Sequence, residues 1–193
     1  GSEMCIRDRD YINILKNVAD KVEATGINGN NSSRDQSFNI WIDLLKKISK
    51  SNKNKLIFAG NGGSAGICSH CSTDYTKNGG IRSIAINDSS MLTCLSNDYS
   101  YEDVFSKQIG YYGFKDDVLV AISSSGMSKN ILNVVNRANE MGIYTITLSG
   151  FKPENELRKI GKLNFYVDSN EYGFVEILHL VLIHTALDLF LKD

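Results

Sequence analysis

From residue 55 onward the chain alternates between short, uninterrupted apolar runs and segments of helical length. Leu56-Ile57-Phe58-Ala59 is the first run, and Ile84-Ala85-Ile86, Val118 to Ile122, Tyr144 to Leu148 and the weaker Phe165-Tyr166-Val167 follow it. Runs that are apolar at every position, rather than at every second one, belong to strands covered on both faces. The windows between them, near 64–77, 89–95, 102–111, 129–141, 154–161 and 173–191, have helical length. Strand and helix in alternation build a parallel sheet through crossover connections. The pattern predicts an α/β domain whose five-stranded, doubly wound parallel sheet is sandwiched between helices.

Ahead of the first strand, Ile12, Leu15, Val18 and Val22 recur at helical spacing, and Phe38, Trp41, Ile42, Leu45 and Ile48 form a second helical stripe. A Gly/Asn/Ser stretch from Gly26 to Ser33 reads as a loop, so two leading helices are expected before any strand. Residues 1–9 carry no usable pattern, and Gly1-Ser2 looks like a tag remnant, which leaves 10–193 as one domain. The single proline, Pro153, falls in a connection.

Composition removes several classes of function. Of 193 residues, 42% are hydrophobic and 22% charged, the mix of a soluble domain with a core of its own. The apolar stretch from Ile177 to Ile183, interrupted by His179, is far short of the roughly 20 residues of a membrane span. Its 21 basic residues balance 22 acidic ones, which leaves no electrostatic footprint for nucleic acid. The four cysteines, Cys5, Cys68, Cys71 and Cys94, are too few and scattered for a disulfide framework. With no signal-peptide pattern at the N-terminus, they are expected to be reduced thiols in a cytoplasmic protein. Cys68 and Cys71 form a C-x-x-C, but no second pair completes a zinc ribbon, so they read as small residues on a buried helix face.

Open parallel sheets bind ligands beyond the carboxyl ends of their strands. Two of those ends are rich in glycine and hydroxyls: Gly60-Asn61-Gly62-Gly63-Ser64 and Ser123-Ser124-Ser125-Gly126-Met127-Ser128. Each should open a helix, where backbone N–H groups and the helix dipole favour an anion such as phosphate. Neither has the lysine of a P-loop, and the first lacks the spacing of a dinucleotide fingerprint. The alternative for either alone is a tight turn with serine as helix cap.

All three histidines fall near carboxylates or apolar helix faces. His70 and Asp74 are four apart, so both project from one face of a helix and can share a metal or a proton. Glu176, His179 and His184 lie on the final helical segment, where a satisfied core histidine is the plainer alternative. Glu176 and His184 stand about 12 Å apart along a helix axis and roughly 80° around it. Reaching one ion from a single straight helix is awkward at that spacing, so the two come more easily from neighbouring subunits or from a broken helix start, which favours an oligomeric site.

Taken together these motifs resemble the sugar isomerase (SIS) family, and most closely its phosphoheptose isomerase branch. The carriers are Gly60 to Ala65 followed by His70, Ser96-Asn97-Asp98-Tyr99 with Glu102 and Phe105, Ala121 to Asn130, Leu148-Ser149-Gly150, and Tyr172-Gly173-Phe174-Val175-Glu176 with His179 and His184. The resemblance implies a SIS domain over residues 10–193 and a homotetramer with sites at subunit interfaces. By position, Asn61, Gly62, Gly63, Ser64, Asn97, Asp98, Ser123, Ser124, Ser125 and Ser128 would hold a sugar phosphate. His70, Asp74, Glu176 and His184 fall on the branch's metal ligands, for a divalent ion expected to be zinc, with Asp74, Glu176 and His184 as acid/base groups. The branch usually carries glutamate at position 74 and glutamine at 176. The aspartate and glutamate found here look like a sister group associated with capsule or surface-sugar pathways. The implied reaction converts sedoheptulose 7-phosphate to a heptose 7-phosphate through an enediol, supplying a precursor of capsule or lipopolysaccharide. Alternatives are a different sugar phosphate, or a non-catalytic SIS domain such as a sugar-phosphate-sensing regulator or the initiator-associating protein of bacterial replication. A pure binder could dispense with His70, Asp74 and His184.

Overall fold

The computed structural model describes residues 8–27 and 30–193; Gly1-Ser2, Cys5 and the centre of the expected Gly26–Ser33 loop lie outside the described residues. In chain order the elements are α1 (Asp8–Asp20), β1 (Glu23–Gly26), β2 (Asn31–Ser32), α2 (Arg34–Ser49), β3 (Leu56–Gly60), α3 (Gly63–Lys77), β4 (Ser83–Ala85), α4 (Ser89–Asp98), a 3₁₀ turn (Tyr101–Asp103), α5 (Val104–Tyr112), β5 (Val118–Ser123), α6 (Lys129–Glu140), β6 (Tyr144–Ser149), α7 (Glu156–Ile160), β7 (Leu163–Tyr166) and α8 (Tyr172–Lys192).

The sheet order is β2-β1-β7-β6-β5-β3-β4. From β7 to β4 every pairing is parallel, which is the expected five-stranded core of the sheet. Every residue of β3 and β5 is buried, because helices cover both faces. Alternate residues feed two separate cores. Leu56 and Phe58 pack with Trp41 and Leu45 of α2, Tyr75 of α3 and Ile183 of α8. Ile57 and Ala59 pack with Phe105 of α5, Val134 of α6 and Leu157 of α7.

Two features depart from the sequence-based expectation. Helix α1 starts at Asp8 and ends at Asp20, so Val22 lies outside it, and β1 and β2 stand between the two leading helices. Ala24 pairs with Phe165 and Thr25 with Asn164, antiparallel, so β1 covers the edge that β7 would otherwise expose. The second departure is α8, whose 21 residues are long and apolar enough to cross a membrane by length and composition alone. The helix packs on α2 and α3 and buries Phe174, Val175, Leu178, Leu182, Ile183 and Leu187, as a core helix does.

Candidate active site

β3 and β5 lie side by side, with Gly60 opposite Ile122. The chain goes from β3 outward to β4 and then returns to β5 on the other side, so the strand order reverses between these two strands. Such a switch point opens a crevice at the carboxyl ends. Gly62 precedes α3 with φ of +53°, a conformation that glycine adopts without a Cβ penalty. A Cβ on Gly63 would stand 2.6 Å from Oε1 of Glu176, so the carboxylate rests directly on the glycine and a side chain there would displace it.

No side chain caps the start of α3 or of α6. At α6 the Ser128 hydroxyl accepts from Ser123 Oγ at 3.1 Å and leaves the helix start uncapped. Both helix N-termini border one cleft of about 220 Å³. Asn61, Gly62, Gly63 and Ser64 line it from the first loop, Ser123, Ser124, Ser125 and Ser128 from the second, and Tyr172 and Glu176 from the start of α8. Hydroxyls, amides and two positive dipole ends converge there, the setting for a phosphate monoester.

Hydrogen bonds fix which way Asn61 faces. Its Oδ1 accepts from Tyr101 Oη and from Asn130 Nδ2, each at 2.9 Å, while its Nδ2 donates to Asn130 Oδ1 at 2.9 Å. Both acceptor positions and one donor are thereby used, and one N–H remains to offer a ligand. Tyr101 and the buried Asn130 were not singled out as site residues by the sequence. Asn130, a polar residue at the second position of a helix that follows a serine-rich turn, was the available signal; Tyr101 had none.

On α3 the residues Ser64, Cys68, Cys71 and Tyr75 are buried, and His70 and Asp74 project from the other side. His184 of α8 meets them. His70 Nε2 is 3.3 Å from His184 Nε2 and 3.3 Å from Asp74 Oδ2, and His184 Nε2 is 3.8 Å from Asp74 Oδ2. Three donors of these types at this separation can share one small cation, and they form the group of potential metal ligands found among the described residues.

Glu176 is not in that group. Helices α3 and α8 pack in register: Gly63 against Glu176, Tyr75 Oη donating to the Ile183 carbonyl at 2.8 Å, and Gly79 against Leu187. His70 and Asp74 therefore meet His184, while Glu176 sits about 10 Å nearer the helix starts, seven residues of rise along α3. Helix α8 is continuous from Tyr172 to Lys192, and the two groups do not meet within one chain.

Asn97 and Asp98 also lie outside the cleft. They end α4, bonded to each other at 3.0 Å, and Asn97 borders a neighbouring depression with Ser96 and Tyr101. Cys68 and Cys71 flank His70 in sequence but face the core. Burial raises both thiols, Cys71 to about 12 with help from the negative Asp74, so neither offers a thiolate. His179 is fully buried, and its Nε2 donates to the Ser149 carbonyl at 3.2 Å. Burial lowers it to about 4 and keeps it neutral, away from the other two histidines.

This fold and cleft are those of a known class: the chain belongs to the SIS domain family, whose profile matches residues 32–150. Within that family it is similar to enzymes named phosphoheptose isomerase. One from Helicobacter pylori (strain HPAG1) is 35% identical over 143 residues, 71% of this chain and 74% of that protein. The solved phosphoheptose isomerase of Neisseria gonorrhoeae matches with a TM-score of 0.72 at 30% identity, over 80% of this chain and 86% of that one. A phosphoheptose isomerase structure from Francisella tularensis shares the fold over 97% of this chain and 100% of its own, with a TM-score of 0.79 at 21% identity.

Proposed function

We propose that this protein is a cytoplasmic, metal-dependent aldose–ketose isomerase that converts sedoheptulose 7-phosphate to a heptose 7-phosphate, a precursor of capsule or lipopolysaccharide. The observation that carries the reading is the His70–Asp74–His184 triangle placed beyond a cleft built for a phosphate ester. The similarity to phosphoheptose isomerases supports the substrate.

Zinc is the proposed ion. Ligands at about 2.0–2.1 Å around a tetrahedral zinc stand about 3.3–3.4 Å apart, and two edges of the triangle have that length. His70, Asp74 and His184 would hold a divalent ion, which when bound would supply Lewis-acid polarisation of the sugar's carbonyl and hydroxyl oxygens. The rest falls to the chain's own groups. Ser123, Ser124, Ser125 and Ser128 at the start of α6 hold the phosphate, and Asn61 adds its remaining N–H. Asp74, through the oxygen turned away from the ion, takes the proton beside the carbonyl and returns it to the neighbouring carbon as the enediol forms and collapses. The hydroxyl proton passes between the two adjacent sugar oxygens, and His184 keeps its Nδ1–H to donate. Glu176, between the serine nest and the triangle, accepts hydrogen bonds from sugar hydroxyls.

The active form is a homotetramer in this reading. Ile177, Val181 and Leu191 lie exposed along one stripe of α8, and His184 falls on the same stripe. An apolar stripe through the site is what a neighbouring subunit would cover.

The test is proton NMR of sedoheptulose 7-phosphate in heavy water with zinc-loaded protein. Deuterium is expected at the carbon beside the carbonyl. Absence of exchange, with the sugar phosphate bound and zinc present, would sink the isomerase reading in favour of a binding protein.

A further inference from the structure

Phe151 follows β6 with φ of +60°, a left-handed conformation that a bulky aromatic residue rarely adopts. Two hydrogen bonds hold it there: its N–H donates to the Ser169 carbonyl at 2.9 Å, and Tyr166 Oη donates to its carbonyl at 2.8 Å. Such strain persists only where the surroundings over-determine it, and it gathers at ligand clamps and active sites. What the strain secures is the Phe151 ring, set edge-on to Tyr172 with centroids 4.8 Å apart and planes at 82°. Tyr172 opens α8 and lines the cleft, yet 62% of it is exposed. Phe151 also packs on the edge of the core, but a core role does not account for Tyr172, most of which stays exposed. The preceding residue is tied to the cleft as well, because Gly150 N–H donates to the Ser124 carbonyl at 2.9 Å.

We propose that Tyr172 is a substrate-contacting, specificity-determining residue: braced by Phe151, its ring forms the wall against which the carbon chain of the sugar phosphate lies. Ligand clefts combine aromatic walls with a few placed polar groups, and on the serine and glycine sides this one is polar. A sugar offers C–H bonds on one side and hydroxyls on the other. The aromatic wall fits the first, and Asn61 on the β3 loop, with Glu176 one turn further along α8, fits the second. Inorganic phosphate, which has no carbon chain, engages the serine nest without touching the wall.

The assignment rests on the isomerase reading for the identity of the sugar, and its test separates the two. Dissociation constants for sedoheptulose 7-phosphate and for inorganic phosphate are measured by calorimetry on zinc-loaded protein in its native assembly. Tyr172→Ala is expected to weaken the sugar phosphate about tenfold and leave inorganic phosphate unchanged, while Tyr172→Phe keeps most of the affinity. Phe151→Gly tolerates the positive φ and removes the brace together with its packing on the core edge, so it should shift the same ratio by less and lower the melting temperature. An unchanged ratio in Tyr172→Ala overturns the assignment, and so does equal weakening of both ligands, which would put the residue on the phosphate. Dissociation of the assembly by Tyr172→Ala, seen in light scattering, would make it an interface residue instead. Loss of the isomerase reading shows differently: wild-type protein would bind the sugar phosphate and fail to exchange its proton, while the variant ratio still moved.

Discussion

The two ends of strands β3 and β5 are built on opposite terms. Where they begin, Asp117 is fully buried and both its oxygens are engaged. Oδ1 accepts from Asn54 Nδ2 at 3.1 Å and from the Lys55 N–H at 3.0 Å; Oδ2 accepts from Lys55 Nζ at 2.8 Å and from the Phe114 N–H at 2.9 Å. Where the same strands finish, the chain turns through glycine and serine, two helices start without side-chain caps, and Glu176 stands over Gly63. One end answers its charge from within; the other leaves donors and carboxylates facing a cleft. The difference shows where stability and function are placed on a sheet of this kind. Polar groups satisfied by the chain hold the fold, and groups left open are available to a ligand.

The largest expected effect falls at the open end. His184→Ala removes one corner of the triangle that would hold the ion, so turnover should fall by about 10²–10⁴. The side chain is 35% exposed and its ring packs on His70, so the melting temperature should fall only modestly. Binding of the phosphate ester should hold, since the serine nest is untouched. Loss of binding together with turnover would show that the triangle supports the cleft structurally and would blur the contrast. At the closed end the expectation reverses. Asp117→Ala strands Lys55 and two main-chain N–H groups, and a broken buried pair of this kind costs about 3–5 kcal/mol. Urea unfolding should register that loss, while KM of the folded fraction stays where it was. A changed KM would mean that the ends communicate through the sheet.

Much of this division was legible in the sequence, and what was not has physical causes. Continuous apolar runs identify β3 and β5 because burial on both faces leaves no room for alternation. Glycine and serine at their ends mark the cleft, since few other residues permit the turn and supply hydroxyls. The His70–Asp74 pair is visible because i and i+4 face one way on any helix. Glu176 was grouped with them by resemblance, but its neighbours depend on how α3 and α8 slide past each other, and that register is set by Tyr75, Ile183 and Leu187. β1 and β2 escaped notice because four and two residues carry no periodicity; their pairing is imposed by the edge of β7. Asn97 and Asp98, expected at the ligand by resemblance, end α4, where Asn97 borders a separate depression.

His179 tests the comparison most finely, because it sits near the open end and is treated as the closed end treats its charge. It is 0% exposed, bonded to the Ser149 carbonyl where β6 finishes, and its Nδ1 has no partner. A buried ring that keeps one unpaired nitrogen is stable only while uncharged, which is why burial lowers it to about 4. In the unfolded chain the same ring titrates near 6.5. Between those two values the unfolded state binds the extra proton, so stability is complete above about pH 6.5 and declines as pH falls toward 4. The whole window is worth about 3 kcal/mol. His179→Gln offers an amide to the same carbonyl without a titrating ring. Its urea midpoint should start lower at pH 7 from imperfect packing and drop less than that of wild type between pH 7 and pH 4.5. Equal drops in the two proteins would show that the acid sensitivity does not arise at His179.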